Sequence, residues 1–412
     1  MFGLRNLLKA IRGLGRERLW LLGVVTGGHS VIHWYMEIFS VLLPSLKTGL
    51  GLSDVQLGTL MTARVATQGI LNLPSGLLAD SLVHYRPLFL AASPVLMGMA
   101  YVLFGISSAF IWSLAAAGLV GLATALWHPA ALASLSTRFP EHRATAIAVH
   151  GMGANVSNTF TPLGVGALLV IFNWRAVLKF QIVPALVAAF LVWRGLVGVG
   201  AGVSSRPKGS TQIREIGELV RNPAFIGIAV IRGLMRMGRL VILTFLPVYL
   251  QEHLGYSPLW VGFYLSMLYG IGIVTQPIMA ILSDRFGRKA VLLPSFITLG
   301  LLYLLLWIAA PGIQLGLVTA AIGIFFFTLG NITTAAVMDL AGTGIQASSF
   351  GLASSVTQIL ALPTPILAGF LIGSYGIGSA FLLSSASLFL AALVLAPLRL
   401  HRGANIQGKP KS

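Results

Sequence analysis

Long apolar runs alternate with short polar interruptions along the whole chain. The runs cover residues 20–46, 55–79, 88–108, 110–136, 143–171, 175–197, 223–250, 258–282, 290–310, 313–338, 347–373 and 377–398. About 20 apolar residues are needed for a helix to cross a bilayer core, so each run predicts one crossing helix. Barrel strands would alternate apolar and polar positions, and these runs do not. Only 9% of residues are charged and 56% are hydrophobic, whereas a soluble domain carries about 25% charged residues. The pattern predicts an all-α polytopic membrane protein with twelve transmembrane helices. The chain has no cysteine, which excludes disulfides and thiolate metal sites.

A net charge of +17 invites a nucleic-acid partner, but the distribution points elsewhere. With the N-terminus in the cytoplasm, all but seven of the 27 Lys and Arg fall in segments predicted to face inward. Lys47, Arg175 and Lys179 fall on the outer side, and Arg64, Arg232, Arg236 and Arg239 fall within spans. That bias is the positive-inside signature of a membrane protein. Both termini are therefore expected in the cytoplasm, with membrane lipid rather than nucleic acid as the basic segments' partner. The basic start followed by an apolar run is similar to a signal peptide. It has no obvious small-residue cleavage site and is long enough to span, so it is read as the first helix.

The longest polar connection, residues 198–222, contains "GVSSRPKGSTQIREIGELVRN" and divides the spans six and six. It predicts an N-terminal bundle over 1–197, a cytoplasmic linker over 198–222 and a C-terminal bundle over 223–412. The two halves repeat one another. "LSDVQLG" (52–58) aligns with "YSPLWVG" (256–262), and "GLLADSLVHYRP" (76–87) aligns with "AILSDRFGRKAV" (280–291), pairing Asp80 with Asp284. The first and seventh spans align through Pro44 and Pro247. Many transporters are built from such repeats, with the binding site between the halves near the midplane.

The stretch "SDRFGRK" (283–289) and its degraded copy "ADSLVHYR" (79–86) resemble the signature loop of the major facilitator superfamily, which follows the second helix and recurs after the eighth. The resemblance runs over nearly the whole chain. It implies two pseudo-symmetric six-helix bundles around a central cavity lined by spans 1, 4, 7 and 10. It also implies a cytoplasmic latch, here Asp80, Arg86, Asp284, Arg285, Arg288 and Lys289. Within the superfamily, "HWYMEIFSVLLPSLKTGLGLSDVQLG" and "LWHPAALASLSTRFPEHRATAIAVHGMGANVSNTFTPLGVGALL" are similar to the fosmidomycin-resistance branch of drug exporters. In that branch a His-x-x-x-Asp precedes the Leu-Pro of helix 1, and a His-Pro sits in helix 4. His33 matches the first His, Glu37 stands where Asp is usual, and His128 with Pro129 matches the His-Pro. Thr161 precedes Pro162 where the antiporter motif of helix 5 has Gly.

The chemistry concentrates in a few span residues. Ionisable groups inside a membrane are costly and usually face a polar cavity. Glu37 is the one acid placed well inside a span. Helical geometry sets Glu37 roughly 6 Å outward of the midplane and Arg64 roughly 4–5 Å outward, so pairing between adjacent helices is plausible. A carboxyl group in such a place changes its protonation as its surroundings change, which makes Glu37 the candidate proton carrier, with His33 and His128 as partners. His29, His33 and Glu37 drift by about 80° around the helix and share a broad face. Arg232, Arg236 and Arg239 share a face of the seventh span, and the repeat pairs Arg232 with His29 and Arg236 with His33. Guanidinium groups near the midplane suit a carboxylate, phosphate or phosphonate. The candidate substrate contacts are Arg236, Arg239, Arg64, His29 and Asn331. His150, Asn155, Asn158, Gln276 and Gln358 are read first as groups that join helices.

These features predict a monomeric, proton-coupled secondary transporter of a bacterial inner membrane. It is expected to export a small anionic or amphiphilic compound by alternating access. Proton-driven uptake of an organic anion is one alternative, and divalent-metal transport through His29, His33 and Glu37 is another, although no residue is assigned as a resident metal ligand. An enzyme is not expected: there is no nucleophile elbow, His-Glu-x-x-His or phosphate-binding loop. No cofactor is expected.

Overall fold

The structure, a computed structural model, describes residues 15–197, 217, 219, 221–340, 346–398 and 400. The linker expected at 198–222 lies almost wholly outside the described residues. Twelve helical spans follow one another, and no strand occurs among the described residues. They are α1 (Arg16–Leu50), α2 (Asp54–Ser81), α3 (Arg86–Ile106), α4 (Phe110–Arg138) and α5 (Arg143–Ile171), then α6 in two pieces (Trp174–Phe180 and Ile182–Leu196). The second set is α7 (Pro223–Val248), α8 (Pro258–Phe286) and α9 (Arg288–Ile308). It continues with α10 (Ile313–Phe326 and Thr328–Leu340), α11 (Gln346–Ala361 and Thr364–Tyr375) and α12 (Gly378–Leu395).

Local chemistry sets the ends of these helices. Gly51 takes a left-handed φ of 62° and stops α1, a conformation that suits glycine because it has no Cβ. Two residues on, Ser53 starts α2 with a capping box. Its hydroxyl accepts from the Gln56 amide at 3.2 Å, and the Gln56 side chain accepts from the Ser53 amide at 2.9 Å. Asn173 and Asn222 cap α6 and α7 with side-chain oxygens that accept from the Ala176 and Ala224 amides, each at 2.9 Å. Among the described residues, nine helices are long and apolar enough to cross a membrane on length and composition alone. Three spans fall short of that test: α1, α2 and α7. These are the helices that carry His29, His33, Glu37, Arg64 and the Arg232–Arg239 stripe.

The residues group into two compact units. One holds Met1–Arg206 with Leu250–Ser266; the other holds Pro207–Tyr249 with Met267–Ser412. In the first unit α1 packs on α5, α2 on α4, and α3 on α4 and α6. Small residues permit the closest of these approaches. A Cβ at Gly121 of α4 would strike the Arg64 carbonyl of α2, and one at Gly28 of α1 would strike the Trp127 ring of α4. A Cβ at Gly153 of α5 would lie 2.5 Å from the Thr26 carbonyl oxygen. Hydroxyls then stitch α1 to α5: Ser30 donates to the Gly153 carbonyl at 2.8 Å, and Ser157 donates to the Ser30 carbonyl at 2.5 Å. In the second unit α7 packs on α11 and α12, and α9 packs on α12. The pairs α1–α5 and α3–α6 are thus matched by α7–α11 and α9–α12, as the sequence repeat requires.

The segment Leu250–Ser266 groups with the first unit for identifiable reasons. Lys47 at the end of α1 makes ion pairs of 2.7 Å with both Asp54 and Glu252. Burial alone would lower the pKa of Lys47, but its hydrogen bonds and charge contacts with the two carboxylates outweigh that and hold it above the ordinary lysine value. A Ser266 hydroxyl accepts from the Leu163 amide at 3.0 Å.

Candidate functional site

In the first unit the sequence "HSVIHWYMEIF" is pinned from several sides. Trp34 donates to the Gln181 side chain at 3.1 Å and Tyr35 donates to the Gln181 backbone carbonyl at 2.6 Å. Tyr101 of α3 donates to the Tyr35 carbonyl. Glu37 follows directly and is buried. Arg64 of α2 grips α1 on either side of Glu37: it donates to the Met36 carbonyl at 2.9 Å, and its guanidinium lies 5.0 Å from the centre of the Phe39 ring. The expected proximity of Glu37 and Arg64 in depth therefore rests on a direct tether between their helices.

One turn inward, four imidazoles come together. The ring centroids of His29 and His33 are 4.6 Å apart, those of His29 and His128 5.3 Å, and those of His33 and His128 5.8 Å. His150 stacks on His29 at 3.8 Å with an angle of 9° between the rings. His29 and His150 are buried, and His33 and His128 are half-buried. Three helices supply the cluster, and the glycine contacts at Gly28 and Gly153 are what allow α1, α4 and α5 to converge there.

In the second unit Arg232 is buried. It donates to Thr334 at 2.6 Å, to Thr333 at 3.3 Å and to the Gly330 carbonyl at 3.5 Å. It does not snorkel to the inner surface; it binds α7 to α10. Arg239 stacks over Phe327, 4.1 Å from the ring centre, a cation–π contact. Arg236 lies between them on the same face and is half-exposed. Asn331 is exposed and donates to Gln276 at 3.0 Å, joining α10 to α8. The repeat is visible here as well. His29 meets His128 of α4 in one unit, and Arg232 meets Thr333 and Thr334 of α10 in the other, at corresponding places with different chemistry.

The residues of the second unit expected to form a latch make a network. Arg288 donates to Asp284, to Ser283 at 3.1 Å and to Asp339 at 2.9 Å. Lys289 donates to the Ala396 and Leu398 carbonyls at 2.6 and 3.1 Å, and Arg285 lies over Phe286. In the first unit Arg86 is buried and donates to the Ala79 carbonyl at 2.8 Å and to Thr137 at 3.5 Å. The side chain of Asp80 lies outside the described residues. Asp284→Asn is expected to slow transport several-fold while substrate affinity stays nearly constant, because Asp284 is an exposed partner of Arg288 at the end of α8. Rates and affinities measured side by side check this; a large affinity loss at unchanged turnover contradicts it.

Three residues outside the expected site join these clusters. Asp339 had no visible partner in the sequence. Asn158, which accepts from His33 at 2.9 Å, was read as general helix glue. His150, expected to join helices, stacks on His29. The signal for His150 and Asn158 was the "HGMGANVSN" stretch (150–158), whose small residues mark a close helix contact.

The sequence model of the Major Facilitator Superfamily matches residues 25–365, with a second match over 233–411. Multidrug resistance protein MdtG of Proteus mirabilis (strain HI4320) is 30% identical over 163 residues, covering 37% of this chain and 39% of that protein. The proline/betaine transporter of Escherichia coli (strain K12) is 29% identical over 142 residues, covering 32% and 27%. The chain thus spans less than two fifths of the length of these curated relatives. Among solved structures, the inward-facing, unoccupied bacterial homolog of the human lysosomal transporter Spinster superposes with a TM-score of 0.73 at 16% identity, covering 93% of this chain and 96% of that one. The nucleoside transporter NupG gives 0.78 at 12% identity, covering 92% and 99%. At such identities the likeness is one of fold.

Proposed function

Because the chain belongs to the Major Facilitator Superfamily, we propose that it is a proton-coupled secondary transporter that exports a small anionic or amphiphilic compound across a bacterial inner membrane, working as a monomer with both termini in the cytoplasm. The observation that carries the coupling is Glu37, a carboxyl group buried on a membrane helix whose neighbour is tethered to it through Arg64. Alternating access needs a charge that can be cancelled before the site reorients, since an uncompensated charge in low dielectric is costly. Protonation cancels the charge of Glu37. An arginine stays charged, and its planar fork suits an anionic ligand, a role given to Arg236, with Arg239 and Arg64 as further candidates. His29 and Asn331 complete the set of residues expected near the substrate.

Export is favoured by the similarity to a multidrug resistance protein. A second reading, uptake of a zwitterion or organic anion, draws on the similarity to a proline/betaine transporter. Proteoliposomes offered a panel of anionic, zwitterionic and amphiphilic compounds, with and without an imposed pH gradient, test both. The expected result is gradient-dependent movement opposite to the proton flow. Movement in the same direction as protons would select uptake, and transport indifferent to the gradient would remove proton coupling.

A further inference from the structure

We infer that His29, His33 and His128 form a binding site for a divalent transition-metal ion of the Zn²⁺ class. Among the described residues they are the one group of three or more metal-capable side chains that converges: one ring nitrogen from each lies within 4.8 Å of the other two. Glu37, the acid on the same face of α1, is not part of that group. The hydrogen bonds around the cluster fix which nitrogen is available. His29 donates from Nδ1 to the His150 carbonyl, His128 from Nδ1 to the Thr124 carbonyl, and His33 from Nδ1 to Asn158 Oδ1, each at 2.9 Å. Carbonyl oxygens only accept, so Nδ1 carries the proton and the lone pair is left on Nε2. An outer acceptor holding the far ring nitrogen of each ligand is how proteins orient metal-binding imidazoles.

Inside the cluster one of these lone pairs is buried with nothing to meet. His29 Nε2 is buried without a hydrogen-bond partner. Imidazoles that offer Nε2 lone pairs to one another suit a cation or a donor at their centre. Nitrogen ligands select Zn²⁺, Co²⁺, Ni²⁺ and Cu²⁺ over Mg²⁺ and Ca²⁺, which demand oxygen. Around a tetrahedral Zn²⁺ with bonds of about 2.0–2.1 Å, ligand nitrogens stand about 3.3 Å apart. The widest separation here closes to that with a shift of roughly 1.5 Å, within reach of small χ rotations. Three histidines leave a fourth position for water or an anionic group. His150 backs the site: its ring stacks on His29, and its carbonyl holds the His29 ring in place. The site goes beyond the transport reading and does not depend on it, because ion binding is measurable without any substrate.

The test uses the full-length protein, free of any affinity tag, titrated with Zn²⁺ by calorimetry and with Co²⁺ by visible spectroscopy. One equivalent of Zn²⁺ per chain and the ligand-field absorption of tetrahedral Co²⁺ are expected. His29→Ala, His33→Ala and His128→Ala each weaken binding by more than tenfold and abolish the Co²⁺ spectrum. Asn158→Ala keeps every ligand and removes only the acceptor for His33, so it weakens binding about tenfold even if a histidine variant fails to fold. Glu37→Gln and His84→Ala, a change at an exposed histidine, bind as the unaltered protein does. Absence of saturable Zn²⁺ binding, or binding unaffected by His128→Ala and Asn158→Ala, overturns the site. Binding lost in Glu37→Gln also overturns it, in favour of His29, His33 and Glu37.

Discussion

Glu37→Gln is expected to abolish accumulation of substrate driven by a pH gradient, while exchange of substrate between the two sides of the membrane continues. Glutamine matches the protonated acid in shape and neutrality, so the substitution freezes the protein in its proton-loaded form. The binding residues and the reorienting helices are untouched, and a substrate loaded on one side still trades places with one on the other. Glu37→Asp is expected to keep coupled transport, since a carboxyl group remains on the same face of α1, where the resembling exporters carry Asp. Uphill transport and counterflow assayed on the same vesicles separate the outcomes. Persistent uphill transport in Glu37→Gln would leave Glu37 as a structural partner of the Arg64 tether and move the proton site elsewhere.

The second large effect is expected at Arg236. Its neighbours on the α7 face are engaged structurally: Arg232 is buried against Thr333 and Thr334, and Arg239 is stacked on Phe327. Arg236 lies between them on that face, half-exposed as Arg239 is. Arg236→Ala should weaken binding of anionic substrates by about 1.5–3 kcal/mol, the usual worth of a hydrogen bond to a charged group, or about 10- to 150-fold in affinity. Arg236→Lys should recover part of the loss, because lysine keeps the charge but not the planar fork. Binding titrations with an anionic compound and a neutral analogue decide the matter. An equal loss for both would mean that Arg236 shapes the site rather than pairing with an anion.

The elements most legible in the sequence were those imposed by the membrane. A spanning helix must satisfy its backbone internally and show lipid an apolar surface, so twelve runs gave twelve spans, whereas the left-handed Gly51 and the Ser53 capping box that end α1 and start α2 emerged only in the structure. Breaks inside spans were less legible. The interruptions at Gln181 and Phe327 divide α6 and α10 without a sequence signal as strong as Pro363 in α11. The family followed from the repeated loop, and the family model confirms it.

The candidate site was legible only one helix at a time. Periodicity showed that His29 and His33 share a face with Glu37, and that Arg232, Arg236 and Arg239 share another. It could not show which helices touch at those faces. The joining of His128 and His150 to His29 depends on α1 meeting α4 at Gly28 and α5 at Gly153, contacts between residues roughly a hundred positions apart. Asp339 with Arg288 and Glu252 with Lys47 were hidden for the same reason. An ion pair across the fold leaves no spacing rule in the chain.

The most direct measurement of the central claim follows protons rather than substrate. Proteoliposomes with a pH-sensitive dye trapped inside, and no initial pH gradient, are given a transported compound on one side only. If Glu37 couples proton movement to substrate movement, the substrate gradient alone drives a proton flux of opposite direction in the unaltered protein. That flux is absent in Glu37→Gln, although labelled substrate still exchanges. Substrate crossing the membrane in the unaltered protein with no proton flux, or an undiminished flux in Glu37→Gln, would contradict it.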